Sequence, residues 1–157
     1  MHRLLPLLLV AGCATAPGSD APWSPDSETT RAADLREARD LFERNLSAIR
    51  DRDRDAYLAC YRDSPYLVRA GPEGASLGFD ALAEGTGETW PDALKTHEMQ
   101  VHWIRSGVVY GIYRYEVAFP GQPVAMGISE RLFLRGKDGW RIAVTTAFPA
   151  PGLKQSE

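Results

Sequence analysis

The chain has 157 residues, of which 44% are hydrophobic and 25% charged, as is typical of a single soluble globular domain. Lys and Arg number 18 against 21 Asp and Glu, so the formal net charge of −3 argues against the basic face of a nucleic-acid-binding protein. Two cysteines are too few for a disulfide-stabilised scaffold or a cysteine-rich zinc site.

The N-terminus has the features of a secretory signal. A basic start is followed by a short apolar run at residues 4–11, and a membrane-spanning helix would need ~20 such residues. The end of the run, Leu9-Val10-Ala11-Gly12-Cys13, resembles the signal of bacterial lipoproteins. The resemblance implies that residues 1–12 are removed and that Cys13 carries the lipid. The alternative is an ordinary secretory signal with an incidental cysteine.

The segment after the signal is predicted to be a tether. Residues 13–28 begin with the lipidated Cys13 and continue with prolines and almost no aliphatic side chains, a composition typical of disorder. We therefore expect a domain anchored by lipid to a membrane of the bacterial cell envelope, on the periplasmic or extracellular side. With Cys13 lipidated, Cys60 has no disulfide partner and is predicted to be a buried apolar residue.

Three helices are predicted next. The first is capped by Ser27 or by one of the two threonines that follow it, and its apolar residues recur at helical spacing as far as Ile49. The second covers about 55–61 and the third about 79–84. A short strand at 66–69 lies between them.

The apolar pattern changes to an alternation of inward and outward residues from Leu94 onward. It predicts four long strands, at 94–105, 108–119, 124–135 and 140–148, joined by hairpin-type turns. Helices followed by such a meander indicate an α+β fold in which the helices cover one face of an antiparallel sheet.

This order of elements resembles the nuclear transport factor 2-like superfamily, in its SnoaL-like, ketosteroid-isomerase-type branch. Residues 53–63 resemble the second helix of that family after an acidic turn, 78–82 its third helix, and 131–142 its last hairpin. The resemblance implies a cone-shaped curved antiparallel sheet wrapped around three N-terminal helices, with a pocket at the open end. The domain would cover 29–148, with a tail at 149–157.

The resemblance also shows where catalytic residues would stand. Isomerases of the family carry an aspartate at the end of the first strand, which here reads Val68-Arg69-Ala70, and many relatives carry histidines in the last strand, here Val144-Thr145-Thr146. Neither stretch has the expected residue. The remaining acid–base candidates are Glu130 and His97.

Alternation along the strands assigns one face of the sheet to the interior of the cone. In the strand at 124–135 it places Ile128, Glu130 and Leu132 inward, although a shift of one residue would bring Arg131 inward instead. With tyrosines from the second helix added, the predicted pocket is lined by Tyr57, Tyr61, Trp103, Tyr113, Tyr115, Glu130, Val144 and Thr146.

The same alternation assigns the remaining strand positions. In the last strand Trp140, Ile142, Val144, Thr146 and Phe148 are predicted to point inward. The convex face is predicted to carry Glu98, Gln100, His102, Tyr110, Arg114, Arg131, Phe133 and Arg135. His97 and His102 would point to opposite faces, so the sequence predicts no metal site, and no cofactor-binding motif is indicated.

Three functions remain open at this stage. The first is a non-catalytic domain that binds a small apolar ligand or a protein partner at the envelope. The second is an isomerase or hydrolase of the SnoaL-like kind that uses Glu130, His97 and a tyrosine. The third is a structural module that forms a homodimer through the convex face of the sheet.

Overall fold

The computed structural model describes residues 27–72 and 74–150. The predicted lipoprotein signal, Cys13, the tether up to residue 26 and the tail from residue 151 lie outside the described residues. The predictions made for them therefore stay predictions.

Three α-helices are present at the predicted places: α1 (Glu28–Arg50), α2 (Arg54–Ala59) and α3 (Phe79–Gly85). Among the predicted caps of α1, Ser27 holds the position, since its Oγ accepts a hydrogen bond from the Thr30 amide at 3.2 Å. Glu28, assigned to the tether from the sequence, is therefore the first residue of α1. Within residues 27–72 and 74–150, no helix is long and apolar enough to cross a membrane.

Seven strands form one curved sheet. They are β1 (Val68–Gly71), β2 (Gly74–Leu77), β3 (Ala93–Thr96), β4 (Gln100–Arg105), β5 (Val108–Ala118), β6 (Ala125–Gly136) and β7 (Gly139–Pro149). Their order is β2-β1-β7-β6-β5-β3, with β4 also paired to β5. All pairs are antiparallel except β1 with β7, which run parallel. The sheet is therefore mixed, whereas the sequence had indicated a purely antiparallel one.

The predicted strand at 94–105 is divided in two. Thr96 of β3 lies opposite Tyr115 of β5, and Gln100 of β4 lies opposite Ile112. The chain thus advances by four residues from β3 to β4 while the partner positions on β5 advance by three, so one extra residue lies between β3 and β4. In this stretch the His97 amide donates a hydrogen bond to the Arg114 carbonyl at 3.0 Å.

The inward face of β6 is the opposite of the predicted one. Gly127, Ser129, Arg131 and Phe133 are buried against the interior, while Glu130 and its apolar neighbours point outward. The reason lies in the pairing with β5, where Tyr113 faces Ser129 and Val109 faces Phe133. Residues directly opposite each other share a face, so the buried side chains of β5 fix the face of β6.

A bulge in β7 overturns the predicted face of its second half. Leu132 lies opposite Val144 and Phe133 opposite Ile142, which leaves Ala143 as an extra residue. Trp140 and Ile142 are buried as predicted. After the bulge Thr145 is buried. Val144, Thr146 and Phe148, which were predicted to point inward, alternate with it and belong to the outer face, and Phe148 is 44% exposed.

The core lies between α1 and the concave face of the sheet. Leu41, Phe42 and Leu46 of α1 pack in one cluster with Phe133 and Ile142 of the sheet. Phe133 and Ile142 are completely buried, so the prediction that Phe133 lies on the convex face was wrong. Cys60 is a buried free thiol, as predicted, and burial raises its pKa.

A buried carboxylate joins the first helix to the far end of the sheet. Asp34 of α1 accepts hydrogen bonds from the Gly107 amide at 2.8 Å, from Trp103 Nε1 at 3.3 Å and from Arg135 Nη1 at 3.1 Å. Asp34 is 1% exposed, and the three donors satisfy its charge. Trp103 therefore belongs to a structural cluster, and its predicted place in the pocket wall was wrong.

Candidate binding cavity

A cavity of about 690 Å³ opens at the end of the sheet away from Asp34. It is bounded by α2, α3, the β1–β2 hairpin, the segment 86–91 and the ends of β5, β6 and β7. This volume lies within the range of small-molecule sites. Its large aliphatic and aromatic lining residues are Ile49, Tyr57, Leu82, Trp90, Leu94, Tyr113, Tyr115, Val117 and Phe119.

The predicted tyrosines divide between the cavity wall and the layer behind it. Tyr57, Tyr113 and Tyr115 line the cavity. Tyr61 is 2% exposed and lies behind Tyr57, donating a hydrogen bond from its hydroxyl to the Tyr57 hydroxyl at 2.8 Å. Trp90, which the sequence analysis did not select, packs edge-on against Tyr57 with ring centres 5.8 Å apart.

Glu130 lies on the other side of the sheet. Its carboxylate accepts hydrogen bonds from the hydroxyls of Tyr110 at 2.6 Å and Thr146 at 3.3 Å, both on the outer face. Thr146 borders the cavity, but its hydroxyl is engaged with Glu130. Val144 also faces outward, opposite Leu132. The prediction that Glu130 and Val144 line the pocket was wrong, because the register of β6 and the bulge in β7 reverse both faces.

The second acid–base candidate is also engaged elsewhere. His97 Nε2 lies 3.1 Å from Glu116 Oε1, and Lys95 Nζ lies 3.2 Å from the same oxygen. The hydrogen bond from Lys95, and then that from His97, lower the pKa of Glu116 despite an opposing desolvation effect. Since Tyr115 and Val117 face the cavity, Glu116 and the groups bound to it lie on the opposite face.

Among the described residues, the buried charged side chain of the cavity is Arg131, which had been predicted for the convex face. Its side chain is 5% exposed and is held by neutral acceptors. Nη1 donates to Ser129 Oγ at 2.7 Å and to Thr145 Oγ1, and Nη2 donates to Tyr113 Oη at 2.9 Å. Nε has no hydrogen-bond partner among the described residues.

No carboxylate among the described residues balances the charge of Arg131. None of the ion pairs found among residues 27–72 and 74–150 includes it. Burial lowers its pKa, electrostatic interactions with Tyr113, Tyr61 and Tyr57 raise it, and the net pKa lies above the usual value. Arg131 is therefore a cation at any physiological pH.

The phenols of Tyr57 and Tyr115 stay protonated at neutral pH. Burial, followed by the influence of Tyr61, holds the pKa of Tyr57 well above its usual value. Burial and the neighbouring Tyr113 likewise raise the pKa of Tyr115. Because Tyr61 donates to Tyr57, the Tyr57 proton is left to donate to a molecule in the cavity.

Sequence reasoning placed Arg131 inward only in the alternative register of its strand, and it missed Ser129 and Thr145. Each belongs to the face that simple alternation assigned to the outside. The one available signal was Phe133, a large apolar side chain two positions from Arg131, which favours the alternative register. Arg69, exposed on β1 beside Thr145, also borders the cavity.

Comparison with solved structures shows which folds this chain is similar to. A nuclear transport factor 2-like protein of unknown function from Shewanella oneidensis is 16% identical, with a TM-score of 0.64 over 73% of this chain and 98% of that one. A nuclear transport factor 2-like superfamily protein from Salmonella enterica serovar Typhimurium is 16% identical, with a TM-score of 0.64 over 80% and 99%.

A third solved structure carries a different fold name. A protein of unknown function with a cystatin-like fold from Nostoc punctiforme is 14% identical, with a TM-score of 0.61 over 78% of this chain and 95% of that one. No family model and no curated protein sequence matches the chain. At these identities the likeness establishes the fold alone, and the predicted α+β cone is confirmed.

Proposed function

From the nuclear transport factor 2-like fold of this chain and the cavity at its open end, we propose that the domain binds a small, mostly apolar molecule without converting it. We further propose that lipid on Cys13 holds the domain at a membrane of the bacterial cell envelope. The anchor proposal depends on the N-terminal motif alone, and the binding proposal depends on the cavity.

The composition of the cavity wall is the observation that carries the binding proposal. Among the described lining residues there is no Asp, Glu, His or Cys. General acid–base catalysis needs a group whose pKa lies near the working pH. Arg131 stays charged, and the raised pKa values of Tyr57 and Tyr115 keep both phenols neutral. The wall thus offers aromatic surface and hydrogen-bond donors, which favour binding over proton transfer.

The enzyme alternative loses its acid–base pair. It depended on Glu130 and His97 sharing one pocket. Glu130 accepts hydrogen bonds on the outer face, and His97 is bound to Glu116. Neither side chain lines the cavity.

The test is binding of a neutral apolar probe to the full-length protein. We expect 4-phenylbutanamide to bind one site per chain, measured by calorimetric titration. Ala147→Trp should abolish binding, because Ala147 is an exposed residue of the cavity wall where an indole would fill the space. Ala93→Trp is the matched control, since Ala93 is an exposed alanine of β3 that alternates with the lining residue Leu94 and therefore lies on the face away from the cavity.

Two results would overturn the proposal. The first is the absence of saturable binding, or binding that both tryptophan variants retain. The second concerns catalysis: native mass spectrometry of the protein from its own host, followed by incubation of any released molecule with fresh protein, should leave that molecule's mass unchanged. A change of mass would support the enzyme alternative.

A further inference from the structure

We infer that the cavity takes an organic anion, an apolar molecule with one carboxylate that pairs with Arg131. This inference rests on the proposed binding function and names the class of ligand. Its first support is the unbalanced charge of Arg131. A buried charge is costly unless it is paired, and Asp34, the buried carboxylate among the described residues, has Arg135 as its partner. No such partner exists for Arg131 among the described residues.

The contacts of Arg131 hold the guanidinium in place without neutralising it. Ser129, Thr145 and Tyr113 all accept through neutral hydroxyl oxygens. Among the described residues, Nε has no acceptor and Nη2 donates to Tyr113 alone. The edge formed by Nε and Nη2 is the one that pairs with a carboxylate through two parallel hydrogen bonds. An anion reaching this edge would supply both the missing acceptor and the missing charge.

The rest of the wall favours an anion with an apolar body. Arg69 adds a second positive charge, and the described lining holds no acidic residue to repel an anion. The wall also carries aliphatic and aromatic side chains, among them Trp90, which is set edge-on against Tyr57. An inorganic anion would leave this apolar surface and most of the cavity unused, whereas an aryl or alkyl carboxylic acid would fill both parts.

The test compares two probes that differ only in charge. At pH 7.4, 4-phenylbutanoate is an anion and 4-phenylbutanamide is its neutral counterpart of similar shape. We expect the full-length wild type to bind the carboxylate about 10- to 100-fold more tightly, the range for a hydrogen bond to a charged group. Arg131→Met should remove this preference while the amide still binds. Arg114→Met, which removes an exposed charge from the outer face, should keep the preference.

Two further arms separate the sources of the carboxylate. Octanoate represents a lipid-derived chain, and acetate represents the bare anion. Tighter binding of octanoate than of 4-phenylbutanoate would assign a fatty acid, and the reverse order would assign an aromatic acid. Acetate bound as tightly as either would overturn the claim of an apolar body.

A second measurement keeps the inference testable if Arg131→Met does not fold. In the wild type, carbon-13 resonances of labelled 4-phenylbutanoate should report a carboxyl pKa below that of the free acid, because Arg131 favours the charged form. Equal binding of carboxylate and amide, or an unshifted carboxyl pKa, would overturn the inference and leave the proposed binding function intact. Failure of the amide and of both long carboxylates to bind would overturn both.

Discussion

Glu130 and Arg131 are adjacent in the chain, yet their side chains lie on opposite faces of β6. Arg131 is buried at the cavity beside Tyr113, whereas the Glu130 carboxylate accepts a hydrogen bond from Tyr110 on the outer face. They form no ion pair with each other among the described contacts. The sheet thus separates the Arg131 cation, which lies at the cavity, from the Glu130 carboxylate, whose hydrogen bonds lie on the outer face.

The first prediction concerns the role of Glu130. Because its carboxylate lies outside the cavity, Glu130→Gln should leave binding of 4-phenylbutanoate unchanged within twofold, roughly 0.4 kcal/mol. The measurement is the same calorimetric titration. A loss of affinity as large as that of Arg131→Met would place Glu130 in the site and contradict the observed register.

The second prediction is the dependence of stability on pH that the hydrogen bond between Tyr110 and Glu130 creates. The hydrogen bond to Glu130, followed by burial, raises the pKa of Tyr110 from 10.0 to about 12. A folded-state pKa above the unfolded value stabilises the protein below the unfolded pKa. This stabilisation should be lost as the pH rises from about 10 to about 12.

Urea unfolding of the wild type and Glu130→Gln at several pH values measures that effect. The difference in unfolding free energy between them should shrink across this pH window, because the variant lacks the carboxylate that raises the pKa. Glu98→Gln, at an exposed position, is the control. A constant difference from pH 9 to pH 12 would show that the hydrogen bond does not hold the Tyr110 proton.

The third prediction tests the bulge in β7. Ile142→Ala removes a completely buried side chain and should lower the unfolding free energy by about 2–5 kcal/mol. Val144→Ala, two positions later but on the other face, should cost about 1 kcal/mol or less. Both values come from urea unfolding at neutral pH. Equal losses, or a larger loss at Val144, would mean that Ala143 is not the extra residue and that alternation continues unbroken.

The sequence predicted which elements form better than it predicted their faces. In β5, buried Val109 and Tyr113 alternate with Arg114 and Glu116, so one face is plainly apolar. In β6 both faces carry large apolar side chains, and only the pairing with β5 decides between them. A lone arginine is also a poor candidate for a buried position, since charged residues are seldom buried unless they are paired.

Other errors came from single extra residues. The bulge at Ala143 reverses the second half of β7, and the extra residue between β3 and β4 divides a strand that looks continuous in the sequence. Nothing in the local residue pattern marks either position. Both are properties of how two strands pair, which is why Thr145 was missed and Thr146 was selected in its place.

The fourth prediction concerns the membrane anchor. Each lipid CH₂ inserted into a bilayer contributes ~0.8 kcal/mol, and several acyl chains are needed for stable attachment. Cys13→Ser should therefore prevent processing and release the protein from the membrane fraction, as followed by an alkyne-labelled fatty acid and fractionation. Cys60→Ser, which changes a buried thiol of the domain, should keep both label and location. Labelling that depends on Cys60, or normal processing and membrane retention of Cys13→Ser, would contradict the proposed anchor.

The fifth prediction concerns the position where Tyr115 crosses β6. A side-chain carbon added at Gly127 would overlap the Tyr115 ring and would lie 2.5 Å from the Phe148 carbonyl oxygen. The backbone oxygen cannot move away without disturbing the β6–β7 pairing, and a shift of the Tyr115 ring would change the cavity wall that it lines. Gly127→Ala should therefore lower the unfolding free energy by about 1–3 kcal/mol, as overpacking does, and should weaken binding of 4-phenylbutanamide. Gly136→Ala is the matched control in the same strand, since its nearest neighbour would be the Gly139 carbonyl at 3.9 Å. If Gly127→Ala unfolds like the wild type and binds the amide equally well, Tyr115 does not lie over Gly127 and the cavity wall is built differently on that side.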